Sequence, residues 1–320
     1  MKALRIEATG SLDQLALLEC PTPKPADGEV LVQITAAGLN TSDVSNVLGK
    51  HPYTTLPRTP GRDFSGVVVE GPPDLIGKSV WGTGKEFGFT RDGSHAEFIT
   101  APANGVALKP DTLSFAQAAA CGVPLTTAWS ALERCGVGKG CRLLVIGAAG
   151  GVGSAAVTLA RWLGAEVTGA VRKSEHVPAL EAQGVRTVLL LQGETMATCA
   201  KAQLGKGFDV VFDTSGARLA EAVSVLAPYG RAAIIVAHGD GSVNVPVRDL
   251  YRRAGSIVGV NSLLFSPAEC AKILSRLQPA FDAGHLTPPT GIEERPLARG
   301  VATYGELSRG ARVKFVFVAN

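Results

Sequence analysis

From Leu143 to Ala160 the chain runs for eighteen residues without a charge, flanked by Arg142 and Arg161. That length would suit a membrane-spanning helix. Glycines at 147, 150, 151 and 153 exclude one, because four of them within seven residues break helical continuity. The run divides instead into a strand from Arg142 to Ile146, a tight turn, and a helix from Val152 to Leu163. Downstream, the stretches Glu166 to Val171, Thr187 to Leu191, Phe208 to Asp213, Arg231 to Ala237 and Ser256 to Val260 read as further strands, with helix-length intervals between most of them. Strands buried on both faces and separated by helices predict a doubly wound parallel sheet. Before about residue 120 the texture differs. Short β-prone runs such as 30–34, 66–70 and 96–99 are punctuated by Gly and Pro, which predicts a mainly β domain. A helix from Pro267 to Ala283 and a strand from Val313 to Val318 close the chain and are expected to return to that first domain. A length of 320 residues suits two such domains in an α/β protein.

A glycine turn between a strand and a helix lets backbone N–H groups and the helix N-terminus meet a diphosphate. The turn here reads Gly147-Ala148-Ala149-Gly150-Gly151-Val152-Gly153, and only its last two glycines keep the usual dinucleotide spacing. The next strand ends about twenty residues on, where an acid selects NAD and a cation accepts a 2′-phosphate. It runs into Arg172, Lys173 and Ser174, which favours NADPH over NADH. The competing reading makes Arg172 and Lys173 ordinary solvated residues at a strand end.

Thirty-one basic and twenty-eight acidic side chains leave a formal charge of +3, without a run of like charge. No nucleic-acid or membrane partner is therefore expected. The six cysteines lack the spacing of a metal or redox pair, the N-terminus reads as a first strand rather than a secretion signal, and a cytoplasmic location is expected. The five histidines are scattered and read by default as loop or surface residues.

Segments 37–43, 60–68, 92–98, 124–129, 208–216 and 230–231, together with the glycine turn, occur in an order that resembles the medium-chain dehydrogenase/reductase superfamily, in its zinc-independent quinone oxidoreductase (zeta-crystallin-like) branch. The resemblance spans nearly the whole chain. It implies a GroES-like β domain from residues 1–123 and 263–320, a Rossmann NADPH-binding domain from 124–262, and an active site in the cleft. It further implies that Asn40 and Thr127 contact the nicotinamide half and that Ala149, Gly150, Gly151 and Val152 lie at the diphosphate. Ser215, Val236, Ala237 and His238, with Asn261, Ser262, Leu263 and Leu264, are implied to line the cofactor. Turn and helix-cap roles are the structural alternatives for Asn40 and Thr127.

Zinc-using members carry Cys and His where this chain has Asn40 and Arg62, and neither an amide nor a guanidinium replaces a thiolate and an imidazole. No metal is therefore expected. Asp43 is expected to orient a neighbouring cation. Many relatives have a Tyr where this chain has Ser45, so Tyr53 stands as the candidate proton donor. The implied chemistry is hydride transfer to a small electrophile, a quinone or an α,β-unsaturated carbonyl compound, by a homodimer. A zinc alcohol dehydrogenase-like enzyme and a non-catalytic nucleotide-binding protein are the alternatives.

Overall fold

The computed structural model describes residues 1–190, 195–196, 207–237 and 239–319. The chain forms two compact units, one of residues 1–126 and 262–320 and the other of residues 127–261. In chain order the first unit contributes β1 (Lys2–Ile6), β2 (Leu15–Glu19), β3 (Glu29–Gly38), helix α1 (Thr41–Val47), β4 (Asp63–Glu70), β5 (Ser79–Gly82), β6 (Phe98–Pro102), β7 (Ala107–Leu108) and helix α2 (Phe115–Ala119). Helix α3 (Gly122–Arg134) contains the division between Thr126 and Thr127. The second unit holds β8 (Arg142–Ile146), helix α4 (Gly151–Trp162), β9 (Glu166–Val171), β10 (Arg186–Leu189), β11 (Phe208–Asp213), β12 (Leu226–Ile234) and β13 (Ser256–Gly259). The chain returns to the first unit with a helix over Pro267–Asp282, then β14 (Ile292–Pro296) and β15 (Lys314–Val318).

The main sheet of the first unit runs β14-β15-β3-β4-β5-β7, and β6 also pairs with β3. Strand β15 shows why the sheet sits where it does. Phe315 and Phe317 point to one face, into a core of Leu4, Ile6, Val32, Ile34 and Phe64, while Val316 points to the other. On that second face Val316 and Ala36 pack against Ala116, Ala119 and Ala120, small side chains that let helix α2 lie close. A reciprocal cap between Ser114 and Gln117 starts α2. Strands β3 and β4 also approach closely. A Cβ on Gly66, opposite Ile34, would stand 2.0 Å from the carbonyl oxygen of Gln33.

The second unit is a parallel sheet in the order β10-β9-β8-β11-β12-β13. Leu143, Leu144, Val145 and Ile146 are all buried, as a strand covered on both faces requires. Several elements differ in their bounds from the sequence reading. Strand β12 begins at Leu226 rather than Arg231, and its Tyr229 takes a φ of +63°. Strand β6 is displaced to Phe98–Pro102 from the expected 96–99. The strand read from Thr187 to Leu191 is present as β10, while Leu191 lies outside the described residues. Among the described residues no helix is long and apolar enough to cross a membrane.

The contact at Gly66 gives a direct test of this packing. Gly66→Ala should lower stability by about 1–3 kcal/mol, as an extra methyl forced into a filled site does. Urea unfolding measures it, and a wild-type midpoint would contradict the close approach of β3 and β4.

Candidate functional site

Within the parallel sheet every strand presents its carboxyl end to the same edge, and the chain's glycine turn emerges there from β8. Gly147 has a φ of +80°, and its N–H and that of Ala148 both reach the carbonyl of Ala170. A Cβ on Gly153 would lie 2.1 Å from the Gly147 oxygen, so the helix can begin this close to the strand only with glycine there. Ala149, Gly150 and Gly151 are exposed at the start of the twelve-residue helix α4. Their side of the turn is open, since a Cβ on Gly150 would meet only the Gly147 oxygen, at 3.3 Å. Exposed N–H groups over a helix N-terminus, with no side chain in the way, fit a dinucleotide diphosphate.

Other sequence candidates fall along the same edge. Arg172 and Lys173 follow β9 and are exposed, and Lys173 donates to Glu175 at 2.9 Å. Ser215 follows β11, where its hydroxyl and N–H both donate to Asp213 Oδ1. Val236 and Ala237 follow β12, and Gly216 approaches the Val236 carbonyl so closely that a Cβ would stand 2.4 Å from it. Asn261 follows β13 and is exposed. His238 lies outside the described residues. Thr127 sits inside helix α3 rather than capping it, and its buried Oγ1 has no hydrogen-bond partner among the described residues. An orphaned buried hydroxyl of this kind is satisfied when a polar ligand group meets it.

In the first unit, Asn40 precedes helix α1. Its backbone N–H donates to Asp43 Oδ2 at 2.8 Å, while its side chain turns away to Asp63 and Lys314. Asp63 is fully buried and its Oδ1 also accepts the Val123 N–H at 2.8 Å. Sequence reasoning singled out neither Asp63 nor Lys314 as a site residue. The expected role of Asp43 is corrected: it caps a backbone N–H rather than holding a cation, and its Oδ1 has no partner among the described residues. Burial pushes its carboxyl up to about 7, with the Asp63 charge adding to the rise and the Asn40 hydrogen bond opposing it.

The default reading of His95 as a surface or loop residue is also corrected. The side chain is fully buried, with Nδ1 2.7 Å from the Tyr304 hydroxyl and Nε2 3.3 Å from the Gly38 carbonyl. A carbonyl only accepts, so Nε2 carries the proton and Nδ1 accepts from Tyr304. Burial lowers the imidazole to about 3, which keeps it neutral.

Arg62 is buried as well. Its Nε donates to the Gly84 carbonyl at 3.1 Å and an Nη to that of Ser262 at 3.3 Å. Ser262, Leu263 and Leu264 form one turn, with Leu264 exposed. Tyr53 is 47% exposed, stacks on Phe89 with ring centres 5.6 Å apart, and has its hydroxyl 3.4 Å from His51 Nδ1. Partial burial raises its phenol, against the pull of the Arg62 charge, and so preserves it as a proton donor. Among the described residues no three His, Cys, Asp or Glu side chains are grouped to hold a metal ion.

Asp43 should leave a signature in stability. The folded protein keeps its proton up to about pH 7, whereas the unfolded chain releases it near 3.8. Its contribution is therefore complete below the lower value and is lost as pH rises through the higher one. Asp43→Asn keeps an acceptor and has no proton to lose. Relative to the wild type its stability should climb between those two pH values and level off above them, as read by urea melts across pH. A difference independent of pH would show that Asp43 is ionised throughout.

Comparison with known proteins agrees with this architecture. Residues 26–111 match the alcohol dehydrogenase GroES-like domain, and residues 151–278 match the zinc-binding dehydrogenase domain. A zinc-type alcohol dehydrogenase-like protein of Schizosaccharomyces pombe is 38% identical over 89% of this chain and 86% of its own. The 2-methylene-furan-3-one reductase of Solanum lycopersicum is 32% identical over 90% of this chain and 71% of its own. Human quinone oxidoreductase is 29% identical over 97% and 95%. Among solved structures, an alcohol dehydrogenase superfamily protein from Novosphingobium aromaticivorans matches all of both chains with a TM-score of 0.88 and 26% identity. The carboxyl-edge glycine turn, the GroES-like sheet and these relatives together place the chain in the medium-chain dehydrogenase/reductase superfamily, as an oxidoreductase of its quinone oxidoreductase-like branch that uses a nicotinamide cofactor.

Proposed function

We propose that this protein is an NADPH-dependent reductase that passes hydride to a quinone or an α,β-unsaturated carbonyl compound without a metal ion. Arg62 carries the reading. By resemblance it occupies the place of a zinc-ligating His, and its guanidinium is buried and committed to two carbonyl oxygens. A permanently charged group with no lone pair to offer is unsuited to binding a cation. The names of the human and tomato relatives agree with a conjugated acceptor.

When bound, NADPH supplies hydride from the nicotinamide C4. The turn residues 149–152 would hold its diphosphate, chiefly through the N–H groups of Ala149, Gly151 and Val152, and Arg172 and Lys173 its 2′-phosphate. The Thr127 hydroxyl and the Asn40 amide would fix the nicotinamide half, with Ser215, Val236, Ala237, His238 and Asn261–Leu264 lining the cofactor. Tyr53 would donate a proton as charge develops on the reduced acceptor. A homodimer in the cytoplasm completes the proposal. The outer edge of β13 pairs with no strand among the described residues, and its Ile257 is exposed, which supports association of two copies there.

The protein should oxidise NADPH with 1,4-naphthoquinone or with a simple enone or enal, and contain no stoichiometric zinc. Inactivity on all three acceptors would overturn the assignment, and bound zinc with ethanol oxidation would favour a zinc alcohol dehydrogenase-like enzyme. Arg172→Ala should raise the NADPH KM about tenfold and leave that for NADH unchanged, the worth of one charge-assisted hydrogen bond. Tyr53→Phe should lower turnover on the enone, and an unchanged rate would remove the phenol from the mechanism.

A further inference from the structure

Strand β3 is flanked by β4 and β15, and both deliver a charge to Asn40, two residues past its end. Gly38 of β3 pairs with Asp63 of β4 and with Val316 of β15. Carrying the antiparallel β15 register two residues further sets Lys314 opposite Asn40. The side chains use this placement. Lys314 Nζ donates to Asn40 Oδ1 at 2.8 Å and to the Leu39 carbonyl at 3.2 Å. From the other side, Asn40 Nδ2 donates to Asp63 Oδ2 at 2.9 Å, and Asp63 is itself held by the Val123 N–H. Lys314 and Asp63 stand 3.8 Å apart, so the amide bridges an ion pair rather than merely adjoining one.

We propose that Lys314 is a positioning residue, which with Asp63 locks the sense of the Asn40 side-chain amide. The inference rests on the reading of Asn40 as a cofactor contact. A reversed amide would set its hydrogens against the Lys314 ammonium and its oxygen against the Asp63 carboxylate. Asp63 is fully buried and Asn40 and Lys314 are half-buried, so little water is left to soften either clash and one orientation is strongly favoured. One N–H and one lone pair of the amide remain for a ligand, and their directions are fixed before it arrives. The hydrogen bond from an ammonium also polarises the amide and strengthens that free N–H as a donor. Lys314 does its work through Asn40, because its hydrogen bonds go to Asn40 and Leu39 and its charge faces Asp63 at 3.8 Å.

The test uses the full chain with asparagine labelled selectively in ¹⁵N. The sequence has six asparagines, and the side-chain signal of Asn40 is identified by its loss in Asn40→Ala. In Lys314→Met without cofactor, exchange of the Asn40 amide protons with water should accelerate at least about tenfold as the clamp opens. With NADPH and 1,4-naphthoquinone the same variant should lose about tenfold to a hundredfold in kcat, with the NADPH KM within about threefold, because alignment rather than binding is lost. In an Asn40→Ala background the change should add less than about twofold, since the two residues act as a unit.

Lys314→Met leaves the Asp63 charge buried alone, so Asp63→Asn/Lys314→Met accompanies it. Stability should return in the double variant while kcat stays low. Recovery of kcat together with stability would overturn the proposal, because the lysine would then serve only to neutralise a buried carboxylate. Unchanged exchange or full kcat in Lys314→Met would also overturn it. Failure of the functional reading looks different: the wild type consumes no NADPH with any acceptor, or Asn40→Ala reacts at the wild-type rate. The exchange measurement then decides the clamp by itself.

Discussion

A carboxylate without access to water, Asp63 at the first position of β4, sets the terms for everything packed around it. Each of its oxygens must find a donor inside the protein, because a buried unpaired charge is among the most expensive groups a fold can carry. One oxygen takes the N–H of Val123, which fixes where helix α3 begins relative to the sheet. The other takes the Asn40 amide and faces Lys314, which ties the end of β3 to the start of β15. Chain segments more than 270 residues apart in sequence, 40 and 314, are thereby joined at one point. Such a pair adds little net stability, since desolvation offsets much of the attraction. Its value lies in geometry, because a wrong register of β15 would leave the charge stranded.

How much of this could be read in the sequence depended on the range of the interaction. The second unit was the most legible. Strands 142–146, 166–171 and 208–213 are observed with the bounds their apolar runs predict, and helix α4 starts one residue earlier than expected. Each is defined by burial on both faces and by local punctuation. The glycine turn was legible for the same reason, as its constraints lie within seven consecutive residues. The first part of β12 was not, because the strand is interrupted by Tyr229 at positive φ and only β11 pairs with it on both sides, Leu226 opposite Phe208 and Arg231 opposite Val210. In β6 the alternation of the sequence ran early, and pairing with β3 from Glu29 to Gln33 fixed the strand at 98–102 instead.

The first unit's polar cluster was legible only in part. Asn40 and Arg62 stood out because the family pattern has other residues there. Lys314 gave no signal, since a single lysine before an apolar strand is an ordinary strand boundary, and only the register across β15 and β3 brings it to Asn40. Asp43 was visible, yet its role was misjudged. Three residues after Asn40 it is well placed to accept the N–H of Asn40, the residue that precedes helix α1, a local bond that forms whatever cation stands nearby. His95 was missed for the converse reason. Its motif lies in a loop, where histidines are usually solvated, and its burial comes from Tyr304 and Phe317 in the last part of the chain.

The same interior discriminates among its ionisable groups. Burial raises Asp43, lowers His95 and raises Tyr304 well above its usual range, so all three are held toward their neutral forms. The first two have opposite consequences for pH dependence. Asp43 favours folding at the acid end, and His95 contributes fully above its ordinary value of 6.5 and loses that contribution as pH falls toward about 3. The two slopes partly offset each other, which flattens stability through the mildly acidic range. Burial lowers the Lys314 ammonium as well, but the Asp63 carboxylate 3.8 Å away opposes that fall, and Asn40 bridges the two. Lys314 on its oxygen side and Asp63 on its nitrogen side are the charges that touch that amide, while the buried Arg62 guanidinium also acts on neighbouring Asp43. The residues that look structural around the site therefore sharpen the polarity of the group that meets the ligand, and packing and electrostatics select the same amide orientation.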